Sequence, residues 1–185
     1  MNTSKKIYSE FNPKFFLILF LCLLARLIPV RIPNVEPILA ATMPISRVSG
    51  AFWGFSFAVL SIFLYDLVTG TLGVRTLFTA GAYGLIGLWS ASYFKNKKGN
   101  TIDYVHFAIL GTLVFDALTG LTVGPIFFHQ SFLGALTGQI PFTILHLAGN
   151  IIFALLLSPA IYNFMIKKKK KESELIVTTF NPKII

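Results

Sequence analysis

The sequence predicts an all-α membrane protein, a polytopic bundle of six transmembrane helices with a short outer-side interfacial or re-entrant helix before the last span. Three observations predict it. Of the 185 residues, 55% are hydrophobic and only 12% are charged, too few charges to cover a soluble domain of this length. The mean hydropathy is +0.73, and the apolar residues are gathered into near-uncharged runs, as a bilayer requires at about 20 residues per helical span. The basic residues, which give a net charge of +9, sit between and beyond those runs, so they report orientation and not a nucleic-acid partner. The length fits about five to seven spans with short loops and leaves no room for a separate soluble catalytic domain.

The chain divides into a cytoplasmic N-terminal segment (1–14), a six-helix transmembrane domain (15–166) and a basic tail (167–185). The first run, 15–30, follows Lys5, Lys6 and Lys14. It has the outline of a secretory signal, but Leu21 and not a small residue precedes Cys22, so it is read as a retained helix. The turn Val30-Arg31-Ile32-Pro33-Asn34 leads into a shorter apolar stretch, 36–45, read as span two, and span three covers 50–69. Span four covers 76–94 and closes on Lys95, Lys97 and Lys98; span five covers 104–121. The region 126–166 is too long for one span and too short for two with a loop, and Pro141 divides it. Residues 126–140 are therefore read as the interfacial or re-entrant helix and 142–166 as span six, any non-helical backbone there being covered by protein or lining a wet cavity. The tail beyond span six is expected to be disordered. Cys22 is the single cysteine, which excludes disulfides within the chain and cysteine-based metal sites.

Six spans place both termini on one side, and the basic residues say which. With that side cytoplasmic, Lys5, Lys6, Lys14, Arg47, Lys95, Lys97, Lys98 and the lysines after span six, including Lys167 to Lys171, all lie inside. The outer loops then hold only Arg31 and Arg75, and Arg26 lies within the first helix near its outer end. This asymmetry is the one cytoplasmic loops carry, and a multi-pass plasma-membrane protein is expected.

Two segments repeat a pattern: Tyr65-Asp66-Leu67-Val68-Thr69-Gly70 and Phe115-Asp116-Ala117-Leu118-Thr119-Gly120 are both aromatic-Asp-x-x-Thr-Gly. Each follows an inside-to-outside span, so each Asp is expected near the outer interface at the same depth. Repeats of this kind frame the sites of transporters, and ionisable residues at membrane depth are costly and tend to be functional. A single Asp of this kind is equally a helix-end residue bonded to nearby backbone, with the Gly as a C-cap. Gln139, Thr143, His146 and Asn150 recur at the spacing of one helical face, as do Thr76, Thr79, Tyr83, Gly87 and Ser90 in span four. Such stripes line a cavity or bond helix to helix. Gly50-x-x-x-Gly54, Gly134-x-x-x-Gly138 and the series Gly81, Gly84 and Gly87 are read as close-packing positions.

No P-loop, H-E-x-x-H or G-x-S-x-G motif occurs, and His106, His129 and His146 fall on different segments without ligand spacing. No metal, cofactor or enzyme activity is expected. Uphill transport would have to draw on an ion gradient or on an ATPase of another chain.

The segment Arg31-Ile32-Pro33-Asn34-Val35-Glu36-Pro37, followed by a short helix, the Gly50-x-x-x-Gly54 helix and Asp66-x-x-x-Gly70, resembles the substrate-binding S components of energy-coupling factor transporters. The likeness runs over most of residues 15–165 and rests on architecture, short loops, size and the N-x-E-P opening. It implies a membrane-embedded binder of a vitamin or related micronutrient, with its pocket near the outer face under the loop after helix one. Its implied partners are a transmembrane coupling subunit and two cytoplasmic ATPases. The Ala-x-x-x-Ala docking pattern of that family is absent from helix one, which reads Phe15-Phe16-Leu17-Ile18-Leu19-Phe20-Leu21-Cys22-Leu23-Leu24-Ala25. The expected substrate site comprises Asn34, Glu36, Asp66, Thr69, Arg75, Asp116, Thr119, His129, His146 and Asn150, with carboxylates accepting hydrogen bonds from a polar ligand and aromatic side chains covering its flat parts. The competing expectation is a self-sufficient channel or ion-coupled carrier, in which Asp66 and Asp116 carry protons or cations.

Overall fold

The computed structural model describes residues 13–29, 35–97 and 99–180, with side chains to Ile166. Among the described residues there are six α-helices and no strand: α1 (Pro13–Leu27), α2 (Ile38–Ser49), α3 (Ala51–Val68), α4 (Val74–Phe94), α5 (Thr101–Phe128) and α6 (Phe132–Phe180). The all-α expectation holds. Three stretches, α3, α5 and Phe132–Ile166 of α6, are long and apolar enough to cross a membrane, and no more than 33% of each apolar window is buried. Their apolar side chains point outward, as lipid-facing helices require: Phe52, Leu113, Phe128 and Leu156 are all exposed.

These helices are apolar nearly all round, so apolar periodicity does not choose their inward faces. Small and polar residues do. Gly54 of α3 and Gly87 of α4 meet so closely that a Cβ on Gly54 would lie 2.9 Å from the Gly87 carbonyl oxygen. Ser46 of α2 enters the same crossing, its hydroxyl donating to that carbonyl at 3.0 Å.

The centre of the bundle is α2. Ile38, Leu39, Ala40, Ala41, Met43 and Ile45 are buried completely or nearly so, and α2 packs against each of the other five helices. At about 1.5 Å per residue its 12 residues span roughly 18 Å, well short of the roughly 30 Å hydrocarbon core. Pro44 within it removes the N–H that would have bonded the Ala40 carbonyl. Ser158 of α6 replaces that donor, its hydroxyl reaching Ala40 O at 2.8 Å, so no backbone carbonyl is orphaned there. At the other end Arg47 donates to Tyr104 Oη at 3.1 Å and to Gly99 O at 3.3 Å, and stacks 4.2 Å from the Tyr162 ring. One guanidinium thus ties α2 to the α4–α5 turn and to α6.

One expectation is corrected. The separate interfacial or re-entrant helix at 126–140 does not exist: α5 runs to Phe128, and α6 starts at Phe132 and passes unbroken through Pro141 and Pro159. The chain breaks at His129, which adopts the left-handed region at φ 52°, and Ser131 caps α6 by accepting the Gly134 N–H at 3.1 Å. Membrane helices tolerate an internal proline when neighbouring groups satisfy the freed carbonyl, so Pro141 is a poor stop signal in such a setting. Beyond Ile166 the helical backbone of α6 continues to Phe180, through a stretch rich in lysine, a good helix former.

Candidate functional site

Five buried side chains from separate parts of the chain form a continuous polar line inside the bundle. Arg26, one residue before the end of α1, donates from Nη1 to Ser61 O at 2.9 Å, and its guanidinium lies 3.9 Å from the Tyr65 ring centre. Its Nε is 2.9 Å from Oε2 of Glu36. Glu36 stands just before α2, and its Oε1 accepts the Tyr83 hydroxyl of α4 at 2.8 Å. The Tyr83 oxygen is 3.5 Å from Nε2 of His146 on α6, and Nδ1 of that ring is 2.7 Å from Oδ1 of Asp116 on α5. One turn further along both helices, Asn150 Nδ2 donates to Thr112 Oγ1 at 2.8 Å.

The line borders a cavity of about 190 Å³ lined by Arg26, Glu36, Ile62, Thr79, Tyr83, Phe115, Phe142 and His146. Phe115 lies 4.2 Å from the Tyr83 ring centre, and Phe115 and Phe142 each stand nearly perpendicular to the His146 ring at 5.6 Å. One wall therefore offers hydrogen-bonding and charged groups, and the other offers flat apolar faces. A second space, an almost wholly apolar groove of about 430 Å³ between α1 and α6, has no polar group to orient a solute.

Burying a paired Arg and Glu costs desolvation that their attraction only partly offsets. At membrane depth such groups mark sites more often than scaffolding. Asp116 holds the imidazole by one nitrogen and leaves the other facing Tyr83 and the cavity, so the ring is fixed in orientation. Among the described residues no group of three or more His, Cys, Asp or Glu is arranged to hold a metal ion.

Of the residues expected from the sequence, Glu36, Asp116, His146 and Asn150 are brought together. Asp66 is elsewhere: its Oδ2 accepts the Thr76 hydroxyl at 2.6 Å in the α3–α4 turn. Thr69 bonds Tyr65 O at 2.8 Å in the same turn, and Thr119 donates to Phe115 O of its own helix at 2.8 Å. Arg75 and His129 are exposed, and Asn34 lies outside the described residues. Arg26, Thr112, Phe115 and Phe142 were not anticipated, and Tyr83 and Thr79 were noticed only as members of a stripe. A signal for Arg26 was present: a charge within an apolar helix requires a partner, and Glu36 is the first carboxylate after it in the chain.

No family model, curated protein or solved structure matches the chain.

Proposed function

We propose that this chain is the membrane-embedded substrate-binding subunit of an uptake system of the energy-coupling factor type, which takes up a vitamin or related micronutrient. The observation that carries the reading is the cavity in which Arg26, Glu36, Tyr83 and His146 face Phe115 and Phe142. Glu36, from the segment after α1, forms part of its wall. Polar groups converging on one side of an aromatic pocket are what fixes a small planar polar molecule. The volume of about 190 Å³ is below the roughly 300–1,000 Å³ of sites for drug-sized ligands, which favours a single-ring solute.

In this reading six segments cross the plasma membrane, the short α2 doing so enclosed by the other helices and not by lipid, and both termini are cytoplasmic. The lysines 167–171 lie against the anionic inner leaflet, each contributing about 1 kcal/mol. The chain itself carries no nucleotide-binding motif, so a transmembrane coupling subunit and two cytoplasmic ATPases supply the energy. A self-sufficient channel or ion-coupled carrier using Asp66 together with Asp116 is less well supported, because the two carboxylates engage separate partners, Thr76 and His146.

Mass spectrometry of the gently purified protein tests the proposal: a small polar ring compound is expected to co-purify with the wild type and to be absent from Glu36→Gln. The isolated chain in liposomes is expected to pass no solute, and robust flux without ATPase subunits would favour the carrier. Orientation is tested with single cysteines at Thr71 and Lys168 in a Cys22→Ser background. A membrane-impermeant thiol reagent on intact cells is expected to label Thr71→Cys, and Lys168→Cys only after lysis.

A further inference from the structure

Two buried oxygen atoms on α5 and α6, the helices that bring Phe115 and His146 to the cavity, are without a partner among the described residues. Asp116 gives Oδ1 to His146 at 2.7 Å, but its Oδ2 meets no donor there. Asn150 gives its amide N–H to Thr112 at 2.8 Å, but its Oδ1 meets no donor there either. Asp116 is 2% exposed and Asn150 1%, so bulk water does not satisfy them. An acceptor left unmatched at such depth is costly, more so when it is charged.

The residues that carry the two oxygens are neighbours. Thr112 and Asp116 are one turn apart on α5, and His146 and Asn150 are one turn apart on α6. The cross-bonds Asp116–His146 and Thr112–Asn150 set those turns side by side, and one turn rises about 5.4 Å. Two side-chain oxygens carried on adjoining turns of this kind can converge on a single ion with oxygen ligands at about 2.3–2.6 Å. The Thr112 hydroxyl oxygen, which accepts the Asn150 amide and retains a second lone pair, belongs to the same pair of turns.

We infer that α5 and α6 hold a monovalent metal cation, sodium, between Asp116 Oδ2, Asn150 Oδ1 and the Thr112 hydroxyl, behind the wall of the solute cavity. All three donors are oxygens, which select hard cations. One carboxylate contributes, so one positive charge balances it, whereas calcium and magnesium sites draw on more oxygen ligands or on several waters. Glu36 has the Arg26 guanidinium at 2.9 Å, whereas Asp116 meets His146 at one oxygen only, so Asp116 is the carboxylate with an oxygen left for a cation. The cation fixes Asp116, Asp116 fixes His146, and His146 borders the cavity. Sodium and solute therefore favour each other's binding, and by linkage the coupling is reciprocal.

The test uses the purified full-length chain with no solute added, so its outcome is separate from that of the solute proposal. Melting is compared in sodium, potassium and choline chloride at equal ionic strength, and binding of radioactive sodium is measured directly. Sodium is expected to raise Tm by about 4 °C or more over choline, with potassium without effect, and to bind at about one ion per chain. Asn150→Leu and Thr112→Val are each expected to weaken sodium binding by about ten-fold or more. Because Asp116→Asn is open to misfolding, the wild-type salt comparison and the Asn150 variant decide the matter. Equal melting in the three salts, as when a buried water satisfies both oxygens, overturns the inference, and so does a sodium effect that Asn150→Leu leaves unchanged.

Discussion

The two copies of aromatic-Asp-x-x-Thr-Gly share a sequence and do different work. In the first copy the motif ends a helix. Gly70 sits at φ 69°, Thr71 N–H donates to Asp66 O at 2.8 Å and Gly70 N–H to Leu67 O at 3.3 Å, the paired bonds of a Schellman C-cap. The Asp66 carboxylate then accepts the hydroxyl of Thr76, which itself takes the Gly73 N–H at 3.1 Å, so one carboxylate joins the end of α3 to the start of α4. In the second copy the helix does not end: α5 continues through Gly120 to Phe128, and Asp116 turns inward to His146. The motif places a carboxylate, and its role is decided by the residues after the glycine and by the helix that stands opposite. After Gly70 come Thr71, Leu72 and a second glycine, Gly73; after Gly120 the chain remains apolar and α6 lies alongside, with Gln139 against Gly120.

Substitutions sharpen this contrast. The largest effect is expected at the far end of the network that Asp116 joins. Arg26→Leu leaves the buried Glu36 carboxylate without a counter-charge, held only by the Tyr83 hydroxyl, and is expected to cost about 3–5 kcal/mol in denaturation experiments. The double variant Arg26→Leu/Glu36→Leu is expected to regain most of that stability while binding no solute, which separates scaffold from site. Next, Asp116→Ala is expected to cost about 2–3 kcal/mol, because a buried imidazole loses its partner, whereas Asp66→Ala loses an interhelical cap worth about 1 kcal/mol. Equal losses would erase the distinction between the copies.

The smallest effects carry the clearest sign difference. Gly70→Ala forces a Cβ into the left-handed region and is expected to destabilise by about 1 kcal/mol. Gly120→Ala removes a glycine from a helix interior, and its Cβ meets only the far end of the flexible Gln139 side chain. It is expected to be neutral or to stabilise by up to about 1 kcal/mol. Thermal unfolding of the pair would show whether Gly120 is helix interior or cap.

The all-α class was legible because composition and near-uncharged apolar runs of span length point to it, and Glu36, Asp116, His146 and Asn150 were legible as members of the polar line because polar groups in apolar runs are conspicuous. The partition of 126–166 was not. Pro141 suggests a break in water, but within an apolar bundle the helix continues, and the turn occurs at His129, where no glycine or proline marks it. Nor did the chain announce that α2, at 12 residues, forms the buried centre: its partners, Ser158 for the Ala40 carbonyl and Tyr104 for Arg47, are distant in sequence. Tyr83 stayed in the background for the same reason, since its significance depends on Glu36 and His146 meeting it from other segments.

The central claim is that the polar line from Arg26 to Asp116 binds a solute while Asp66 only closes a turn. The most direct measurement is the thermal shift of the purified chain against a panel of B-group vitamins and their ring precursors, run in parallel on wild type, Asp66→Asn, Glu36→Gln and Asp116→Asn. One or more compounds are expected to raise Tm of the wild type and of Asp66→Asn by several degrees, with the shift abolished in Glu36→Gln and Asp116→Asn. A wild type that responds to no compound at high concentration, or an Asp116→Asn variant that responds as fully as the wild type, would contradict the account.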